Sequence, residues 1–347
     1  PQKAIFYRFD EVTRSVARMA WKIQGRLNSR SLTFFIDSHS GELLEAREDT
    51  LDLNSTGTVT GYASTGVLPF TSENVPELIN LESLLVDNGT AQDLTDSSGV
   101  YSITDAGVAA ETLTANLYMP YDTGVRVHAV YDEPNLSFAS LSQAITSSGT
   151  YNFQFSPLMT EYETAQVNVY INVLNAYRYF QDRAIFAELD TQSLVSTPNT
   201  SGLTCNAQYT PNGANANPGL LDFAAASANC NNAAYSTVIA HEYGHHVVNR
   251  LGLAQQSFGE GFGDTLAMLL FDTPGVGFDF QKDEDYLREP QAHSFQYPCD
   301  ASSIYTCGMM LAGFFWEVRE RIGLAATQQL HVDWSAITAG GATPSGV

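Results

Sequence analysis

Residues Ile239–Gly252 read IAHEYGHHVVNRLG. They place three of the chain's seven histidines, with a glutamate, inside six consecutive positions. Apolar Val238, Ile239, Val247 and Val248 flank the cluster, and a glycine closes it. The segment Asn232–Gly252 therefore reads as one largely buried helix that ends at a C-cap near Gly252. His241 and His245 are four positions apart, so they project from the same helix face, one turn above the other. Two imidazoles at that spacing can bind one divalent metal, zinc above all, and Glu242 beside them can take a proton from the attacking water. Zinc would lower the pKa of that water to about 7. A chance match on an exposed helix is the competing explanation. The apolar flanks weigh against it, because burying two histidines and a glutamate without partners is costly. His246 points about 100° away around the helix and is not expected to be a ligand.

A catalytic zinc needs a third protein ligand and an open fourth position. The extended pattern HExxHxxGxxH would supply it on the same segment, but Val248 replaces its glycine and Leu251 its last histidine. The next candidate is SFGEGFGDTLAMLLF, Ser257–Phe271, in which Glu260 and Asp264 are again four apart and an apolar run follows. It reads as a second buried helix after a turn near 252–257. Two antiparallel helices joined in this way can bring Glu260 to the metal. Asp264, one turn on, can hold the ring N–H of a ligating histidine.

At HEYGHH…GEGFGDTLA the chain resembles the gluzincin metallopeptidases of the thermolysin and fungalysin type, and fungalysin-like secreted peptidases most of all. The resemblance implies that His241, His245 and Glu260 bind one catalytic zinc ion, that Glu242 is the general base, and that Asp264 partners His241. AQVNVYINVLNAYRYFQ resembles the long helix ahead of the active site. CNAQY, from Cys205 to Tyr209, resembles the edge strand that pairs with the substrate backbone, which gives Asn206 and Ala207 a substrate-binding role. Two departures stand out. The link from His245 to Glu260 is shorter than in thermolysin. In IYTCGMMLAGFFWEV, Tyr305 stands where the family has an oxyanion-stabilising histidine. A tyrosine hydroxyl can donate the same hydrogen bond, and His293, in QAHSFQY, is a second candidate. His331 reads as a surface histidine.

Three compositional zones set the expected α+β multidomain architecture. Residues 1–50 contain LTFFIDSHSGELLEARED, a strand, a turn at Ser38–Gly41 and a second strand, similar to the end of the propeptide that keeps these enzymes as zymogens. Residues 51–155 are rich in Thr, Ser, Gly and Val. A turn at Asp96–Gly99 and alternation at Leu113, Ala115, Leu117 and at Val125, Val127, Ala129 predict a β-sandwich-like domain; His128 falls on the polar side of its strand. Residues 156–347 turn helical, with Ala165, Val169, Val173, Ala176, Tyr177 and Phe180 at helical spacing. They form the expected zincin-like catalytic domain, open to truncation at its C-terminal end.

Charge narrows the partners. The chain has 38 acidic against 16 basic residues, a formal net charge of −22. Such a surface repels phosphate backbones and anionic membranes, so nucleic acid is not an expected partner. The longest apolar run, MMLAGFFW at Met309–Trp316, is too short to span a bilayer and reads as a buried helix. Cys205, Cys230, Cys299 and Cys307 contain no CxxC pair and allow three disulfide pairings. The local one, Cys205–Cys230 with Cys299–Cys307, closes two modest loops on either side of the histidines. With sequons at Asn54, Asn88, Asn135 and Asn199, the cysteines favour an oxidising, secreted setting. Residue 1 is proline, so the chain is expected to be a processed product or a fragment. The Asp-rich run FDFQKDEDY, Phe278–Tyr286, could hold calcium, but a solvated acidic loop is the better reading.

The expectation is thus a secreted zinc endopeptidase acting on proteins or peptides, of open oligomeric state and cleavage preference. The rival, from a different class, is an extracellular binding or adhesion protein carrying a catalytically impaired peptidase-like domain. An aminopeptidase is a narrower option without a visible acidic motif to capture a free N-terminus.

Overall fold

The computed structural model describes residues 1–8, 16–27, 30–48, 52–106, 111–119, 125–127, 139–183, 194–200, 202–211, 219–282, 284–292, 296, 298–299 and 303–338. It is a mixed α+β structure, with several sheets and five α-helices among the described residues. His128, Asn135 and His293 lie outside them.

The chain opens with an antiparallel meander of β1 (Gln2–Arg8), β2 (Val16–Leu27), β3 (Arg30–Asp37) and β4 (Leu43–Glu48). The expected strand–turn–strand is the β3–β4 pair. Its turn is held by Asp37, whose Oδ1 accepts from the backbone N–H groups of His39 and Ser40 at 2.8 and 3.0 Å.

The second zone builds two sheets. One centres on β5 (Asp52–Ala63), joined by β6 (Glu77–Asn80), β9 (Val100–Ala106), β13 (Gly149–Thr150) and β14 (Phe153–Phe155). The other runs β12-β10-β7-β8, from Ser140–Ile145, Glu111–Asn116, Leu85–Asp87 and Gln92–Leu94. The alternation read at Leu113, Ala115 and Leu117 is real: all three are buried. The turn at 96–99 closes by Gly99 N–H to Asp96 O and leads directly into β9.

The strand at Val125–Val127, β11, departs from the zoning. It pairs in parallel with β15 (Leu194–Thr200), in a sheet ordered β11-β15-β17-β16 with β16 at Ala207–Thr210 and β17 at Gly219–Ala224. A strand is present at Val125–Val127, with Ala129 outside the described residues, but its pairing partner lies almost seventy residues downstream, which no local pattern encodes. β18 (Val276–Phe278) and β19 (Tyr286–Arg288) form a final antiparallel pair.

Helix α1, Glu161–Gln181, forms where the sequence predicts it. Thr160 caps it by accepting from the Glu163 N–H, and Glu161 and Glu163 complement the helix dipole in the first turn. Its apolar face, with Val167, Val169, Tyr170, Val173 and Phe180, is buried. Each such side chain contributes about 1.5–3 kcal/mol. Gly61 of β5 lies against Val167, where an added Cβ would sit only 3.0 Å from a methyl carbon. One apolar cluster therefore runs from the β5 sheet through α1 to the later helices. Arg178 clamps α1 to the β6–β7 connection through two bonds to Glu82, at 2.7 and 2.8 Å.

Four helices follow: α2 (Ser236–Arg250), α3 (Ser257–Phe271), α4 (Ile304–Ile322) and α5 (Leu324–Thr338). α2 ends as expected. Gly252 adopts φ +67°, and the Gly252 and Leu253 N–H groups bond to Asn249 O and Val248 O in a Schellman arrangement. α2 and α3 cross at Gly244 and Gly263, and α3 and α4 at Gly261 and Gly308. A Cβ on Gly244 would lie 2.6 Å from Gly263 Cα, and one on Gly261 2.4 Å from Gly308 O.

Two helical segments differ from their sequence expectation. MMLAGFFW belongs to α4 but is only one-sided in its burial: Phe315 and Trp316 are covered, whereas Phe314 is 57% exposed. A continuous apolar run on a 3.6-residue period must present some members outward. His331 is not at the surface. It is 0% exposed, packed among Phe262, Phe315 and Trp334, with its Nδ1 at 3.0 Å from the Tyr179 hydroxyl. Burial lowers its pKa to about 3, so it is held neutral.

Candidate metal centre

The two glycine crossings decide where the chemistry sits. With no side chain at Gly244 or Gly263, α2 and α3 approach backbone to backbone, and Glu260 reaches the histidine face of α2. Among the described residues, His241, His245 and Glu260 are the one group of His, Cys, Asp or Glu that could hold a metal ion, with one ligand atom from each inside 4.8 Å of the others. The two Nε2 atoms are 3.1 Å apart. Glu260 Oε2 lies 3.4 Å from His241 Nε2, and its Oε1 3.7 Å from His245 Nε2. A tetrahedral centre with bonds of about 2.0–2.1 Å has ligand-to-ligand edges of about 3.3–3.4 Å. The three separations bracket that value.

Proton bookkeeping points the same way. His245 Nδ1 lies 3.0 Å from Gln255 Oε1, while Gln255 Nε2 donates to His245 O at 3.0 Å. The second bond fixes the amide's orientation, so Oε1 accepts and the proton is on Nδ1. His241 Nδ1 is 2.8 Å from Asp264 Oδ1, an acceptor, which assigns its proton likewise. Both Nε2 lone pairs then face each other and a carboxylate. Glu260 Oε2 is buried with no hydrogen-bond partner. Such a convergence of acceptors is stable only around positive charge.

Without a cation, the centre draws in a proton. Burial and Arg288 press the His241 pKa down, but Asp264 and Glu260 outweigh them and it rises to about 9. His245 falls to about 4, through burial and then the charge on His241. Burial raises the Glu260 carboxyl, but the His241 ring 3.4 Å away and the histidine charges hold it below the usual range. The residues therefore fit a metal ion, and His246 takes no part: its ring lies against Tyr209 and Tyr243 instead.

Asp264 is 0% exposed and carries more than His241. Arg288, on β19, donates to it from Nε at 2.8 Å and from Nη2 at 2.7 Å. Arg288 and Gln255 escaped the sequence reading. Gln255 sits in a short polar link with no pattern. Arg288, in YLREP, is one of only sixteen basic residues in a chain of net charge −22, and that scarcity was the available signal.

The centre opens on a cleft of about 700 Å³ lined by Asn206, Ala207, Tyr209, Glu242, Arg288 and Tyr305, among others. Glu242 is buried, and burial lifts its carboxyl to about 7 while His241 pulls it down. Asn206 precedes and Ala207 opens β16, which is an edge strand. Ala224 N–H bonds to Asn206 O, so the Asn206 backbone faces β17 and, by alternation, the Ala207 N–H and C=O face the open edge. Tyr305, at the start of α4, is 50% exposed, with the Arg288 guanidinium 5.5 Å from its ring centre. Both disulfides adopt the local pairing, Cys205–Cys230 and Cys299–Cys307. They anchor opposite rims: Cys205 precedes Asn206, and Cys307 follows Tyr305 by two residues.

The Phe278–Tyr286 loop brings no comparable ligand group together among the described residues. There Asn231 Nδ2 donates to Asp279 O and Oδ2. The sequon at Asn199 holds a buried amide that donates to Tyr162 O at 3.1 Å. No described helix is long and apolar enough to cross a membrane. The chain matches no family model and no curated protein.

Proposed function

We propose that the chain is a secreted zinc-dependent endopeptidase of the gluzincin kind, with His241, His245 and Glu260 as metal ligands. The observation that carries this reading is the convergence of two lone pairs and an unpartnered carboxylate oxygen at the wall of a cleft whose other wall is a free strand edge. A bound zinc ion supplies Lewis acidity, polarising the scissile carbonyl and acidifying water. Glu242 accepts a proton from the attacking water and passes it to the leaving amine; a carboxyl lifted toward 7 suits both transfers. Ala207 offers its outward N–H and C=O to an extended peptide, with the Asn206 side chain beside it. The Tyr305 hydroxyl, or His293, donates to the carbonyl oxygen as it gains charge.

The rest of the sequence-based architecture belongs to the same proposal: 1–50 as the end of a propeptide-like domain, 51–155 as a β-sandwich-like domain and 156–347 as the catalytic domain. Two disulfides are compatible with export. The test is elemental analysis plus casein hydrolysis. One zinc per chain and chelator-reversible cleavage are expected, with Glu242→Gln keeping its zinc and losing cleavage by at least about 100-fold. Full activity in Glu242→Gln overturns the mechanism. Bound zinc with no cleavage of any peptide in a broad library favours the binding-protein reading.

A further inference from the structure

The two cleft rims are tied down by disulfides of unlike accessibility. Cys230 is 2% exposed and belongs to the main apolar cluster. Cys299 and Cys307 are both half-buried. Opening Cys205–Cys230 means attacking a covered sulfur or expelling its thiolate into apolar surroundings. Burial of that kind raises a thiol's pKa and makes it a poor leaving group. Cys299–Cys307 meets neither obstacle.

The accessible bridge holds the first turn of α4, and that turn has little else. Ser303 makes no side-chain capping bond, and no acidic residue stands in the first turn to complement the dipole. None of residues 303–307 is buried, whereas Gly308, Met309, Ala312, Phe315 and Trp316 are. From Gly308 onward the helix is fixed by its crossing with α3, where a Cβ on Gly308 would lie 2.8 Å from Gly261 N and 2.9 Å from Glu260 Cβ. Ahead of Gly308, Ile304 and Tyr305 line the cleft. The turn is steadied by the Arg288 guanidinium, 5.5 Å from the Tyr305 ring centre, and by the Cys307 N–H, which donates to Ser303 O at 3.2 Å. The covalent tie from Cys307 to Cys299 is the strongest restraint upon it.

We infer that Cys299–Cys307 is a redox-sensitive positioning bridge, which sets the Tyr305 turn of α4 at the cleft and which a reductant opens ahead of Cys205–Cys230. A dithiol does so by two exchanges. Its first thiolate attacks one sulfur, and the S–S electron pair leaves on the other. Its second thiolate then closes the dithiol to a disulfide and releases the remaining cysteine. Two protons pass from the dithiol to Cys299 and Cys307. The turn frays, while α4 from Gly308 onward and the adjoining Glu260 stay in place. The chain is thereby competent in an oxidising compartment, and in a reducing one it holds its metal beside an unset cleft.

The inference rests on the peptidase reading for its kinetics alone, and the test separates the two. Bridge opening is read by graded treatment with a water-soluble trialkylphosphine, which takes its oxygen from water and leaves two thiols, followed by alkylation and peptide mass spectrometry. Cys299 and Cys307 are expected to be alkylated at least about 10-fold faster than Cys205 and Cys230. The Cys307 amide is expected to exchange at least about 10-fold faster once the bridge is open. Equal alkylation rates, the reverse order, or unchanged exchange at Cys307 overturns the inference, whatever the protein's activity. In kinetics, Cys299→Ser combined with Cys307→Ser is expected to keep one zinc per chain and a KM within about threefold of wild type, and to lose kcat by about 10–100-fold. Phosphine-treated wild type should show the same loss, reversed on reoxidation. Wild-type kcat with the bridge open overturns the positioning role. On a Tyr305→Phe background, opening the bridge should cost less than about threefold more, because the bridge acts through that hydroxyl. A full further loss there shows that it acts elsewhere and overturns the assignment to Tyr305. If the wild type cleaves nothing, the peptidase reading fails, and alkylation order and amide exchange alone decide the inference.

Discussion

Gly244→Ala should uncouple the metal centre without unfolding the protein. The new Cβ would lie 2.6 Å from Gly263 Cα and 3.1 Å from Gly263 N. Carbon atoms in contact prefer about 3.5–4.0 Å, so α2 and α3 must part by about 1 Å. Both sides of the contact are helix backbone, and no flexible side chain can yield. Alanine gains about 1 kcal/mol over glycine in helix propensity, whereas overpacking costs about 1–3 kcal/mol. The net stability change is therefore small, roughly a 1 kcal/mol loss. The metal responds far more. Zinc sites tolerate about 0.2 Å in ligand distance, so a 1 Å shift carries Glu260 off its 3.4 and 3.7 Å spacings to the histidines. Loss of an outer partner typically costs 10–100-fold in affinity. Loss of a direct ligand should cost at least the upper end, about 100-fold. Zinc titration against a chromophoric chelator measures it, with circular dichroism as the folding check. Gly202→Ala is the control, since its Cβ meets nothing within 4 Å. If Gly244→Ala binds zinc within about threefold of the control, the helix crossing does not set the site.

Asp264→Asn should lower zinc affinity by about 10–100-fold by loosening His241. It should also destabilise the fold by about 3 kcal/mol in urea titration, because Arg288 loses its buried counter-charge. His331 predicts a pH effect. Its folded pKa is about 3 against about 6.5 unfolded, so below pH 6.5 only the unfolded chain takes the proton. Stability then falls by about 1.4 kcal/mol per pH unit from this residue as pH drops toward 3. In His331→Phe, the stability slope between pH 6 and 4 should be flatter by that amount, and an unchanged slope would show that the ring is not held neutral. Replacing Cys205 and Cys230 together by serine opens a bridge of separation 25, for an expected loss of about 3.5 kcal/mol in thermal or denaturant unfolding.

The group that could hold a metal ion was legible because helical pitch is written into sequence. His241 and His245 at i, i+4, and Glu260 and Asp264 at i, i+4, each name a face. The apolar residues around them say that the faces are buried. The long helix α1 and the strand alternation at Leu113–Leu117 were legible for the same reason. What stayed hidden depends on approaches that no period records. Arg288 reaches Asp264 from a strand pair 24 residues downstream. Gln255 reaches His245 from a link too short to carry a pattern. β11 alternates like its neighbours and gives no hint that its partner is β15. His331 misled for a different reason. A histidine on a helix with polar neighbours reads as solvated, and only the convergence of Phe262, Phe315 and Trp334 from three helices shows that the site is closed.

Glu242 separates a peptidase most sharply from a mere metal-binding module. Holding an ion needs only His241, His245 and Glu260. A module selected to bind metal, or to present a cleft to a partner, has no use for a second carboxyl buried one position from a ligand. Burial lifts that carboxyl from 4.5 to about 7. By the usual conversion this is about 3 kcal/mol of disfavoured ionisation near neutral pH. A glutamine would fill the same space at little cost. That carboxyl lines the cleft beside the open edge of β16. A residue that strains stability in a cleft is the pattern of a group kept for proton transfer. The arrangement around Glu242, more than the ligand triad itself, favours hydrolysis over binding.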